Sequence, residues 1–275
     1  MRVAVRHHTR YSYGSPAKFV LQLLRMTPRN HDGQTVKTWR IVPNCDGVLK
    51  GGEDPFGNLT HTLSLVGPVS EIELDVEGVV ETEDRHGVVR GTFEKFPIEL
   101  YLRETPLTAV DTALKEFAAD TVVEAGAEPL DRLHCLLVGI YSAVKFDTRP
   151  TQTTTTAAEA FALKRGVCQD LTHIFIACAR HLGIPARYVG GHMFRNDGVV
   201  QQEAGHAWAE AHVPGLGWVG FDPTNGICPT EAHVRVAVGL DYLGAAPVRG
   251  ARQGGADEKL SVAVEINQAS LQRQS

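Results

Sequence analysis

Along the first hundred residues, apolar and polar positions alternate. Val3, Val5, Tyr11 and Tyr13 follow a period of two, and Thr38-Trp39-Arg40-Ile41-Val42 and Leu63-Ser64-Leu65 continue it, as half-buried strands do. Similar stretches recur at Ile72, Leu74 and Val76 and at Val79-Val80. Turn-forming residues, Asn44 to Gly47 and Asp54-Pro55-Phe56-Gly57-Asn58, separate the runs. Nothing here repeats at helical spacing. Residues 1–102 are therefore expected to form an N-terminal β-rich, sandwich-like domain.

The period changes near Leu102. Pro106 can open a helix, with Val110, Leu114 and Phe117 at helical spacing through Ala119. Pro129 begins a second helix carrying Leu133, Leu136, Leu137, Ile140, Tyr141 and Val144. Thr156 with Glu159 spells a capping box, predicting a short helix that ends near Lys164 with Gly166 as its stop. A further helix is predicted from Cys168 to about Leu182, with Leu171, Ile174, Cys178 and Leu182 as its buried stripe. Strands resume at Arg187-Tyr188-Val189, at Gly205 to Val213 and at Trp218 to Asp222. The expected fold class is α+β, with residues 103–275 forming the second domain.

A chain of 275 residues suits one large or two modest domains. A formal net charge of −5 argues against a nucleic-acid surface. The longest apolar run, Cys135 to Val144, is about half the ~20 residues of a membrane span. Arg2, Arg6, His7 and His8 break up the start, which does not read as a signal peptide. The expectation is a soluble, cytoplasmic protein with no nucleic-acid or membrane partner. The cysteines (Cys45, Cys135, Cys168, Cys178 and Cys228) are irregularly spaced without Cys-x-x-Cys, which suggests thiols rather than disulfides or a zinc ribbon.

One of these thiols stands where chemistry is favoured. Cys168 falls in the first turn of its helix, where unpaired N–H groups and the macrodipole stabilise a thiolate. Cys178 falls on the apolar stripe and reads as core. In Gly205 to Val213, His206, Trp208, Glu210 and His212 share one face, with Ala207, Ala209 and Ala211 on the other. Pro214 to Gly217 then turns the chain back toward Asp222, which Pro223 holds extended. Pairing Val213 with Gly217 leaves a three-residue loop and sets His206 one diagonal step from Asp222. Pairing Val213 with Trp218 would throw Asp222 to the opposite face. Nucleophile, base and orienting carboxylate make up the logic of cysteine acyl transfer. A metal site of Cys168, His206 and His212 is the rival for the same residues, but no short-spaced ligand pair supports it, so no metal or cofactor is expected. Gly215 to Gly220 spells G-x-G-x-x-G without opening a helix, so it reads as a hairpin turn. His173 lies about 140° around the helix from Cys168 and reads as a packing residue or a poorly placed base. Asp170, in the same first turn, suits the helix but opposes a thiolate. Gln152, Gln169 and Tyr141 are equal candidates for a second oxyanion donor.

Gly166-Val167-Cys168-Gln169-Asp170, Leu182 to Val189, Gly205-His206-Ala207-Trp208 and Gly217 to Thr224 together resemble the transglutaminase-like core. His8-Thr9 with Tyr11 and Tyr13, Leu24-Arg25 with Pro28-Arg29, and Phe56-Gly57-Asn58 resemble the β-domain that precedes this core in a bacterial group. The resemblance implies a papain-like core, its catalytic cysteine at a helix N-terminus packed on an antiparallel sheet, with the triad on Cys168, His206 and Asp222. It does not fix the reaction; the expectation is amide acyl transfer through a thioester from a peptide or protein amide substrate. Hydrolysis is favoured over transfer to an amine, and a non-catalytic peptide-binding module is the alternative from another class.

Overall fold

The computed structural model describes residues 1–269, built from two large antiparallel sheets, a short two-stranded parallel pair and a helical layer. Strands β1 (Arg2–Thr27), β2 (Gln34–Pro43), β3 (Val48–Glu53) and β4 (Leu59–Thr82) come first. β1 and β4 pair along most of their length, and β2 and β3 line the far edge of β4. Burial along β1 switches parity: Val3, Val5, Tyr11 and Tyr13 are buried at odd positions, Val20, Leu24 and Met26 at even ones. Register shifts between Ser12 and Phe19 cause the switch, because a bulge inserts an unpaired residue and bends its strand. Both halves of the bent sheet share one core, which includes Tyr11, Val20, Leu24, Leu63, Ile72 and Leu74. Stretches that alternate separately in sequence thus belong to a few long strands.

Strand β5 (Val88–Val89) leaves that sheet, and a 3-10 turn at Ile98–Leu102 leads into helices α1 (Thr112–Thr121) and α2 (Pro129–Ala143). Next come β6 (Lys145–Phe146), α3 (Ala157–Leu163), β7 (Arg165–Gly166) and α4 (Cys168–His181). The chain continues through β8 (Ala186–Met193), β9 (Gln201–Gln202), β10 (His206–Val213), β11 (Gly217–Phe221) and β12 (His233–Gly239). It closes with α5 (Tyr242–Ala245), β13 (Val248–Gly254) and β14 (Lys259–Gln268). The second sheet has the order β12-β8-β10-β11-β5.

Local signals place most helix starts. Thr156 and Glu159 cap each other reciprocally at α3, and Pro129 is the first residue of α2. Two local expectations fail. Helix α1 begins at Thr112 rather than Pro106, because the Asp111 carboxylate accepts the Leu114 N–H at 2.8 Å and caps the helix there. Helix α3 ends with Lys164 itself in the left-handed conformation, φ 53°, so Gly166 is not its stop. The expected stripe on α4 is also too narrow. Every residue from Gln169 to Arg180 is buried, because α4 runs between α1, α2 and α3 on one side and β8 and β10 on the other.

Strand pairing crosses the division at residue 102 in both directions. Strands β13 and β14 leave the core and pair with β1, Leu24 opposite Val248 and Val5 opposite Ile266. In the other direction, β5 pairs with β11. Asn58 ties the two parts together: its Nδ2 donates to the Val238 carbonyl at 2.8 Å, and its Oδ1 accepts the Val238 N–H at 2.7 Å. Strand β9 pairs with β14, which anchors the segment before His206 to the first sheet.

Candidate active site

Three elements bring Cys168, His206 and Asp222 together. Cys168 is the first residue of α4, where the first-turn N–H groups lack intrahelical acceptors. The turn is set by Asp170, whose Oδ2 accepts the Val167 N–H at 2.8 Å and the Thr151 hydroxyl at 2.7 Å. Gly166 is required for that approach, since a Cβ there would stand 2.6 Å from Asp170 Oδ2. Burial raises the Asp170 carboxyl above its ordinary value, which weakens its opposition to a neighbouring thiolate.

His206 opens β10 and pairs with Gly191 of β8. A side chain at Gly191 would collide with the Val234 carbonyl and with the Trp208 ring. Trp208 is buried and forms the apolar wall beside His206, ring centroids 6.1 Å apart. The β10–β11 ladder pairs Val213 with Gly217 and runs to Ala209 opposite Phe221, so the loop is the three residues Pro214 to Leu216. That register leaves Asp222 on the face of His206, and His206 Nε2 lies 2.7 Å from Asp222 Oδ2.

Asp222 is fully buried, yet it accepts five hydrogen bonds. Its Oδ2 takes His206 Nε2, Asn225 Nδ2 at 2.7 Å and His233 Nε2 at 3.2 Å, while Oδ1 takes the Thr224 and Asn225 backbone N–H groups. Burial would raise its pKa, but the His206 charge and these donors hold it well below the usual carboxylate range. Burial likewise opposes charge on His206; the Asp222 carboxylate and Cys168 outweigh it and raise the ring to about 10. The arrangement therefore favours an imidazolium held by the Asp222 carboxylate on Nε2, with Cys168 acting on the same ring.

Other residues singled out in the sequence fall elsewhere. His173 is a buried packing residue, held neutral by burial, and its Nε2 accepts the Tyr242 N–H at 3.1 Å. Burial pushes the Cys178 thiol up to about 12. His212 sits opposite Trp218, six residues and about 20 Å along the strand from His206, so the set Cys168, His206 and His212 is not assembled. Among the oxyanion candidates, the Gln169 amide donates to the Thr153 carbonyl at 3.2 Å, and the exposed Tyr141 ring lies against Gly226.

Sequence reasoning missed Asn225, His233 and Tyr188. Only Asn225 carried a local signal, in the turn-forming run Asp222-Pro223-Thr224-Asn225-Gly226. Burial, then the charge of Cys168, keeps the Tyr188 phenol protonated. His206, Asp222 and His233 place one ligand atom each within 4.8 Å of one another, a spacing that invites a metal. The donor set does not fit one. The Thr230 N–H donates to His233 Nδ1 at 3.1 Å, which puts the ring proton on Nε2, where a metal would need the lone pair.

Comparison with known proteins bears on the family and the fold. The family description "Transglutaminase-like superfamily" matches residues 116–223, and "Bacterial transglutaminase-like N-terminal region" matches residues 3–81. An uncharacterized protein of Mycobacterium leprae (strain TN) is 32% identical over 279 residues, covering 96% of this chain and 98% of its own. One from Mycobacterium tuberculosis (strain ATCC 25618 / H37Rv) is 25% identical, covering 90% of this chain and 87% of its own. Among solved structures, "a Putative Cysteine Protease from Cytophaga hutchinsonii" superposes with a TM-score of 0.78 at 20% identity, covering 100% of this chain and 92% of that one. That likeness concerns the fold, over the whole chain.

Proposed function

Because the chain belongs to the transglutaminase-like superfamily, we propose that it is a cysteine-dependent acyl-transfer enzyme acting on peptide or side-chain amides. The observation that carries the reading is the contact of His206 Nε2 with Asp222 Oδ2, with Cys168 acting on the same ring from a helix start. The Cys168 thiolate attacks the amide carbonyl carbon, and a tetrahedral oxyanion forms beside the first-turn N–H groups of α4. His206 gives its proton to the departing nitrogen, the C–N bond breaks, and a thioester remains. Neutral His206 then takes a proton from water, whose oxygen attacks the thioester and releases a carboxylic acid and the thiolate. Hydrolysis is the proposed outcome because water is always present. A cytoplasmic setting belongs to the proposal too, since its five cysteines stand as free thiols.

The test is acid quenching of the protein with a peptide-amide library, followed by intact-mass analysis. An acyl adduct on the wild type and none on Cys168→Ala is expected, with carboxylic acid as the product. Adding a primary amine reads out the acceptor: product that becomes a new amide would replace hydrolysis by transfer. Binding without any adduct or product would make the chain a non-catalytic peptide-binding module.

A further inference from the structure

Asp222 holds a second imidazole besides His206. His233 opens β12, its side chain is 2% exposed, and its ring stands edge-on to Trp208 with centroids 5.3 Å apart. Its Nε2 lies 3.2 Å from Asp222 Oδ2, the oxygen that His206 contacts at 2.7 Å. The other nitrogen fixes where the proton is. Thr230 N–H donates to His233 Nδ1 at 3.1 Å, and a peptide N–H can only donate, so Nδ1 presents a lone pair. The ring proton then sits on Nε2 and is directed at Asp222. A proton on Nδ1 would set two donors against each other and break the Thr230 contact.

We propose that His233 is a positioning residue: a fixed Nε2–H donor that shares Asp222 Oδ2 with His206 and limits how tightly the carboxylate holds the His206 proton. The proposal rests on the acyl-transfer reading of Cys168, His206 and Asp222. A carboxylate oxygen that accepts a further hydrogen bond is stabilised as an anion and offers less to its other donor. An undivided Asp222 would grip the imidazolium more strongly, and His206 would surrender its proton less readily to a departing amine. Division of Oδ2 therefore serves the step in which the C–N bond breaks. The titratable groups facing His206 are Cys168 from α4, Asp222 after β11, His192 from β8 and His233 from β12. Burial keeps the His192 ring uncharged, so it adds no competing charge near neutrality.

The experiment follows the rate of Cys168 alkylation by iodoacetamide between pH 5 and 11 in the full-length wild type, His233→Phe and His233→Gln. The wild-type profile should show two limbs, one as the thiolate forms and one as His206 loses its proton. Phe keeps a ring against Trp208 but removes the donor, whereas Gln returns a side-chain N–H near the position of Nε2. The upper limb of His233→Phe should move to higher pH by roughly half a unit or more, the plateau rate should stay within about twofold, and Gln should restore the wild-type limb. A Phe profile that superimposes on the wild type, or a plateau that drops with no shift, overturns the proposal. Should His233→Phe fail to fold, nitrogen-15 NMR of the wild type at pH 7 decides instead: Nε2 protonated and Nδ1 bare is expected, and the reverse tautomer overturns it. A wild type with no two-limb profile would count against the acyl-transfer reading, while the NMR tautomer still reports on His233.

Discussion

Cys168 and Cys178 share one helix but not one environment. Cys178 is fully buried, and desolvation keeps it protonated. Burial also raises the thiols of Cys45 and Cys228. Cys168 is half-buried and sits beside an imidazolium that Asp222 sustains. Brief iodoacetamide treatment at pH 6 followed by peptide mapping should therefore find Cys168 modified at least ten times faster than these three, about 1.4 kcal/mol in barrier. Equal labelling of Cys45 or Cys228 would remove Cys168 as the nucleophile. This contrast was legible in the sequence, because helix position and apolar spacing are local. The partners of Asp222 were not. His233 reaches it only because β12 lies beside β8, a neighbourhood that no spacing along the chain announces.

At the scale of elements, legibility follows the range of the interactions that set each boundary. The capping box of α3, the proline of α2 and the odd-length β10–β11 loop depend on a few adjacent residues, and they agree with the expectation. Helix α1 shows how two local signals compete, with the carboxylate of Asp111 prevailing over Pro106. The buried circumference of α4 and the merging of short alternating runs into β1 and β4 depend on distant partners, and alternation alone could not show them. The start of α4 offers a direct test. In Gly166→Ala the new Cβ would stand 2.7 Å from Asp170 Cβ as well as close to its carboxylate, so Asp170 and the helix start must shift. A loss of about 1–3 kcal/mol in denaturant unfolding is expected, together with slower alkylation of Cys168. An unchanged midpoint and an unchanged rate would show that Gly166 does not set the position of the thiol.

Across the whole molecule, buried titratable groups predict how stability changes with pH. Burial lowers His7 and His173 to about 4 and His192 to about 3. Unfolded histidines take up protons below about pH 6.5 while these stay neutral in the fold, so their contribution is complete above 6.5 and is lost as pH falls toward 4. Glu210 follows the carboxylate pattern. Burial opposes its charge, but Arg235 and Arg187, each donating through Nε at 2.7 Å, hold it down to about 2. Its contribution is present above the ordinary 4.5 and disappears toward 2. His206, raised to about 10, behaves oppositely: its contribution is full below 6.5 and fades as pH climbs to 10. Thermal midpoints measured from pH 4 to 10 should peak near neutrality and fall on both sides. A midpoint that stays flat between 6.5 and 4.5 would contradict the histidine part of this account.

The pairing of β1 with β13 and β14 also has a meaning during translation. A nascent chain emerges in sequence order, so β1 appears first, and β4 can soon cover one of its edges. The edge at Val3 to Ser12 waits for Lys259 to Gln268, and the edge at Ala17 to Leu24 waits for Val248 to Gly254. Both partners are made after Cys168, His206 and Asp222. A ribosome stalled between Asp222 and Val248 would carry every proposed catalytic residue together with a long unpaired strand edge, which can recruit strands from other chains. Messages truncated in that interval should yield aggregate rather than a partly active enzyme.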